Sequence, residues 1–149
     1  SPDWTPFMPE IMKYVKSGDV LFAYRDFPFL GPESFQSSEA ARCAGDQGKF
    51  WEYHDYLYAH QDGENKGSFS DTNLKSFAKI LALDTASFDS CLDSNKYEQV
   101  VLDSKIEASG AGVTGTPKGF IIKKGKVVDT IDGAEGGETV KQKIEAALK

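Results

Sequence analysis

Cysteine is scarce in this chain: its 149 residues hold two, Cys43 and Cys91. They stand too far apart to form a Cys-x-x-Cys pair, whose close spacing favours a depressed pKa and easy exchange. On the residues alone they fit one disulfide bridge as well as two buried thiols. Basic residues are in deficit too, with 17 Lys and Arg against 23 Asp and Glu for a net charge of -6, and the lysines are scattered rather than gathered on a stripe. Nucleic acid is not expected as a partner. No apolar run approaches the roughly 20 residues a bilayer-spanning helix needs, and no basic, apolar, small-residue series opens the chain as a signal peptide would. The expectation is a cytosolic protein or a mature, processed form. Histidine is equally rare. His54 and His60 neighbour Glu52 and Asp55, but their separation of six places them on different faces of a helix. The i, i+4 ligand spacing is missing, so both read as structural and no metal is expected.

What is present is an ordinary globular composition, 40% hydrophobic and 27% charged, enough for one domain with a sizeable core. Apolar residues at Trp4, Phe7, Met8, Ile11, Met12 and Val15 form a helical stripe, which predicts a helix over about Pro2 to Lys16 with Gly18 as its stop. Pro6 and Pro9 fall inside that pattern and are expected to bend it. Val20 to Arg25 is short, apolar and β-prone, and Pro28, Gly31 and Pro32 end it, so it reads as a strand.

From Glu33 to Ser109 the pattern is helical, broken at Gly45 and Gly48, at Asp62 to Gly67, near Asp84 and near Ser94. Ser70, Asp84 and Ser94 are placed to cap successive segments. After Pro117 the period changes. Phe120 to Lys123 and Lys126 to Ile131 are strand-like around a Lys124-Gly125 turn, which predicts a β-hairpin. Val140, Ile144, Ala147 and Leu148 mark a closing helix. No internal repeat or low-complexity tract is evident. Gly110 to Gly115 formally matches the dinucleotide fingerprint G-x-G-x-x-G, but it follows a helix and runs into a strand, the reverse of the context that cradles a pyrophosphate. No cofactor is expected.

Several segments together carry a family likeness: Tyr24-Arg25-Asp26-Phe27-Pro28, Ala40-Ala41-Arg42-Cys43-Ala44, and Gln47-Gly48-Lys49-Phe50-Trp51-Glu52-Tyr53-His54-Asp55. Phe88 to Ser94 and Gly112-Val113-Thr114-Gly115-Thr116-Pro117 continue it. From Pro9 onward the chain resembles the DsbA-like branch of the thioredoxin superfamily, thiol-disulfide oxidoreductases of the cell envelope. The resemblance implies an α/β thioredoxin-like fold over 1–149, with residues 1–32 and 111–149 as the thioredoxin part and 33–110 as a helical insertion subdomain. It also exposes a gap, because such a fold begins with a central strand ahead of its first helix. In this family a Cys-x-x-Cys opens the first helix. Counting back from Pro9-Glu10-Ile11 puts that motif upstream of Ser1, while a competing alignment lays Thr5-Pro6-Phe7-Met8 over it as a degenerate site. Either way no catalytic residue is expected among these 149.

The resemblance further implies that Thr116-Pro117 is a cis-proline loop, presenting the Thr116 backbone to a bound peptide as an added strand; the Phe27 to Leu30 segment, Phe27 first, either supplies apolar contacts beside that loop or fills the rim of a core. An oxidising compartment is implied as well, periplasm, cell envelope or secreted, and that favours a structural bridge between Cys43 and Cys91. Closing a loop of roughly 48 residues in this way contributes about 4 kcal/mol in the chain-entropy model. Protein or peptide substrates, and a membrane redox partner of the full-length parent, are the expected partners. Oxidase, reductase and isomerase stay open, since direction follows reduction potential rather than fold. A redox-inactive peptide-binding or chaperone-like module is the alternative, and a glutathione-dependent isomerase a third, for which no dedicated motif is seen.

Overall fold

Proline and glycine set where the first helix of this chain begins and ends. A computed structural model describes residues 6–149. Its first helix, α1, runs Met8–Ser17. The expected start at Pro2 is thus corrected to Met8, and residues 2–5 lie outside the described residues. Pro6 precedes the helix and Pro9 sits in its first turn, where a missing N–H has no intrahelical acceptor to lose, so neither bends it. Gly18 closes the helix in a left-handed conformation, donating its N–H to the Tyr14 and Val15 carbonyls.

Val20 to Arg25, expected as a strand, is not one. The sheet of the described residues has two strands and does not include this segment. Strand status requires a ladder of backbone hydrogen bonds, and β-propensity alone does not supply the neighbour. The alternation expected of a strand is nonetheless there: Val20, Phe22 and Tyr24 are half-buried, whereas Leu21 is 94% exposed.

The chain gathers into two compact units, Ser1–Tyr24 with Gly112–Lys149, and Arg25–Ala111. The second unit is helical: α2 (Pro32–Gly45), α3 (Phe50–Ala59), α4 (Asp71–Ile80), α5 (Thr85–Asp93) and α6 (Glu98–Gly110). Its core is built from Tyr53, Leu57, Leu74, Phe88 and Leu92, with Ala40, Ala41 and Ala44 letting α2 lie close to its neighbours. Tyr53 satisfies its buried hydroxyl by donating to the Leu74 carbonyl at 2.8 Å. Asp84 caps α5, accepting from the Ser87 N–H at 2.7 Å. Ser70 occupies the N-cap position of α4 without a side-chain cap bond. Ser94 does not cap the next helix as expected. It ends α5, its hydroxyl donating to the Cys91 carbonyl at 3.0 Å, and Tyr97 precedes α6.

In the first unit, β1 (Lys118–Lys123) and β2 (Lys126–Asp132) form an antiparallel hairpin, followed by α7 (Gly137–Leu148). Lys124 and Gly125 both have positive φ, 51° and 76°, the type I′ geometry whose twist matches that of paired strands. A bulge between Ile121 and Ile122 shifts the register, so that Ile121 opposes Asp129 and Ile122 opposes Val127. Phe7, Ile11, Ile131, Val140 and Ile144 form the core, with α7 packed on α1 and on both strands. Gly137 marks a close backbone approach in this unit, because a Cβ there would stand 2.9 Å from the Pro6 carbonyl oxygen.

Candidate functional site

In the first unit the segment from Gly112 to Pro117 links the last helix of the other unit to β1. Gly112 takes φ 83°, Val113 is buried, and Thr116 is exposed at the turn before the strand. The Thr116–Pro117 peptide bond is cis. Pro117 is half-buried, and its carbonyl accepts the Gly133 N–H at 3.0 Å, which fastens the loop to the far end of β2. Just beyond it Lys118 pairs with Asp132 and lies 5.5 Å from the centre of the Phe120 ring. The Lys118 and Thr130 hydrogen bonds hold the Asp132 carboxyl below the usual carboxylate range. The exposed residue Thr116 is therefore carried on a tied-down turn.

At the N-terminus of α1, where a thiolate gains most from the helix dipole, the residues are Phe7 at the N-cap and Met8 as the first helical position. The Phe7 carbonyl accepts from the Glu10 and Ile11 N–H groups at 3.1 and 3.2 Å. Of the segment Thr5 to Met8, Thr5 lies outside the described residues. No side chain from Pro6 to Met8 can act as a redox nucleophile.

Cys43 and Cys91 are joined, with Cα atoms 5.8 Å apart, linking α2 to α5 inside the helical core. The described residues include no free cysteine. Phe27 belongs to the second unit, half-buried, its ring 5.5 Å from that of Phe29. Thr116 and Pro117 belong to the first.

Sequence reasoning assigned no role to Asp26 and Glu39, two buried polar residues of the second unit, and read a third, His54, as structural. Asp26 is 2% exposed and accepts from Arg42 Nε at 2.5 Å; burial raises its pKa although the guanidinium pulls the other way. His54 is 3% exposed, Nδ1 3.1 Å from an Asp55 carboxylate oxygen, and burial lowers its pKa against the attraction of Asp55. Glu39, on α2, is 4% exposed, with its pKa raised by burial and by the charge of Glu98. A signal for the first was available: Val20, Phe22 and Tyr24 set an inward register, and Asp26 falls on the same parity. For Glu39 the signal is its position one helical turn before Cys43. His54 and His60 do not converge, and among the described residues no group of three His, Cys, Asp or Glu side chains is arranged to hold a metal.

Comparison with known proteins bears on this geometry. Residues 7–146 match a family model described as Thioredoxin. A thioredoxin-like oxidoreductase of known structure from Silicibacter pomeroyi DSS-3 superposes with a TM-score of 0.69 at 22% identity, covering 94% of this chain and 76% of that one. The curated relatives are longer. A Na(+)/H(+) antiporter NhaA 1 from Salinispora arenicola is 32% identical over 105 residues, which is 69% of this chain but 15% of the antiporter. An antiporter NhaA 1 from Mycolicibacterium vanbaalenii is 29% identical over 107 residues, 69% of this chain and 16% of that protein. The chain thus spans about one sixth of the curated relatives it matches. With a family model matched over nearly its whole length and a thioredoxin-like fold in the structure, the chain belongs to the thioredoxin family.

Proposed function

We propose that this chain is the substrate-facing scaffold of an extracytoplasmic thiol-disulfide oxidoreductase of the DsbA-like branch, and that these 149 residues by themselves do not turn over disulfides. The observation that carries the second half is the Cys43–Cys91 bridge, which consumes all the cysteine in the sequence inside a packed helical core. Disulfide exchange needs an accessible thiolate, and none can form here. The first half is supported by membership of the thioredoxin family and by the exposed residue Thr116 on a fastened turn before β1, where a peptide could pair as an added strand. The structural bridge supports an oxidising compartment. Likeness to a stretch of proteins named as antiporters supports work at a membrane, where a redox partner of the parent would also reside. Protein or peptide segments are the substrates in this reading.

One observation favours a redox-inactive binding module: α1 starts at Met8, so Thr5-Pro6-Phe7-Met8 leads into a helix N-terminus just as a Cys-x-x-Cys does in this family. Two assays separate the readings. The chain as given is expected to reduce insulin no faster than background dithiothreitol; turnover abolished by Cys43→Ser would place the active thiol in the helical unit and overturn both. The double variant Thr5→Cys with Met8→Cys is expected to gain insulin reductase activity if the site is degenerate in place, and to stay at background if the dithiol belongs elsewhere in the parent.

A further inference from the structure

Between α2, α4 and α5 of the second unit lies a cavity of about 240 Å³. Leu74 and Leu92, both buried, are its apolar lining residues. Gln36 and Asn95 bring amide groups, and Asp71 and Asp93 bring carboxylates that share one cation, Lys75, at 3.0 and 2.6 Å. Glu39 completes the lining, and it differs from the rest. Its side chain is 96% removed from solvent, and Oε2 is fully buried with no hydrogen-bond partner. A buried carboxylate oxygen left without a donor is costly, by about 1–3 kcal/mol or more for a charged group. Native structures seldom retain one without a reason.

We propose that this cavity receives the guanidinium of an arginine side chain offered by a partner protein, with Glu39 as its carboxylate anchor. The guanidinium carries five N–H donors and no acceptor, the complement of what Glu39 lacks, and its planar fork matches a carboxylate. Leu74 and Leu92 suit the aliphatic stem, while the amide oxygens of Gln36 and Asn95 can accept the remaining N–H groups. Size argues the same way. The cavity is smaller than the roughly 300–1,000 Å³ of sites for drug-sized ligands, so one side chain fits better than a whole small molecule. A metal ion is the poorer fit, because no three ligating side chains converge there. The chain's charge of -6 favours approach of a basic partner. Burial and Glu98 raise the pKa of Glu39 in the empty cavity, and an arriving cation reverses that pressure. None of this depends on the oxidoreductase reading.

The test is a titration of the isotope-labelled full chain with N-acetyl-arginine-N-methylamide, followed by amide and carboxyl resonances. The neutral analogue built on citrulline serves as control, and calcium chloride as a second probe. Saturable shifts confined to Gln36, Glu39, Leu74, Leu92 and Asn95, absent with citrulline and weakened about tenfold or more in Glu39→Gln, would establish the site. Four results overturn it: no response at tens of millimolar, an equal response to citrulline, an unchanged response in Glu39→Gln, or shifts of these resonances by calcium alone. Should Glu39→Gln not fold, Gln36→Leu at the exposed rim is expected to weaken arginine binding severalfold, and unaltered binding there overturns the proposal equally.

Discussion

The two units of this chain are held together by different means. The helical unit, Arg25–Ala111, buries Tyr53, Phe88 and four leucines around a disulfide that ties α2 to α5. Its long loop is fastened as well, with Glu33 accepting the Gly67 and Phe69 N–H groups at 2.8 and 3.0 Å. The other unit rests on a cluster of five buried residues, Phe7 with others from α1, β2 and α7, and its hairpin leaves Phe120, Ile122, Val127 and Val128 exposed. A two-stranded hairpin has little stability of its own and depends on the helices packed against it. The unit carrying the candidate peptide-binding loop is therefore the softer one, as is common where binding requires local adjustment.

The strongest way to break that contrast is to remove the bridge. Cys43→Ser with Cys91→Ser is expected to cost about 4 kcal/mol by the chain-entropy model, read as a lower urea midpoint. Amide exchange should accelerate in α2 and α5 while the hairpin keeps its protection. Equal loss of protection in β1 and β2 would show that the two units unfold as one.

Ile144→Ala probes the other side. Ile144 is buried between α7 and its neighbours in the five-residue core, and its truncation is expected to cost about 3 kcal/mol. Exchange should then rise in α1, α7 and the hairpin and leave α2 to α5 unchanged. Acceleration in α4 and α5 of the same size would contradict the division.

The hairpin was legible because Lys124-Gly125 is a local signal: two residues able to take positive φ between two alternating runs determine a type I′ turn without outside help. The stop at Gly18 and the cap at Asp84 are local in the same sense. What sequence reading missed depends on neighbours. Val20 to Arg25 shows the alternation of a strand, yet a ladder is a property of two segments. Ser94 was a good N-cap by type, but the chain used its hydroxyl to finish α5. At the candidate site the sequence showed that no Cys-x-x-Cys was present, while the Thr116-Pro117 loop was indicated by the family resemblance. The pairing of Cys43 with Cys91 came from resemblance rather than from residue spacing. Asp26 and Glu39 went unassigned because a charged residue is presumed exposed until its partner, here Arg42 for Asp26, is seen.

The smallest expected effect concerns His54, and it sharpens the contrast because it titrates one unit only. Burial holds its folded pKa below the ordinary 6.5, so the native state carries the neutral ring. Between the folded value and about 6.5 the unfolded chain binds more protons than the native one. Stability from this residue is therefore complete above about pH 6.5 and is lost as pH falls through the folded value. Asp26 acts in the opposite sense, since its raised folded pKa stabilises the native state below the unfolded carboxylate value and that contribution fades as pH rises. Its effect begins further into acid, from about 3.8 upward, and the Arg42 pairing opposes it. One proton taken up on unfolding changes stability by at most about 1.4 kcal/mol per pH unit. Urea midpoints measured from pH 7.5 to 5.5 should thus fall for the wild-type chain by less than that slope, and His54→Gln should flatten the fall. The α2, α3 and α5 amides should register the change while those of the hairpin do not. Identical slopes in the two proteins would mean that His54 binds its proton equally well folded and unfolded, and that its burial in the helical unit carries no electrostatic cost.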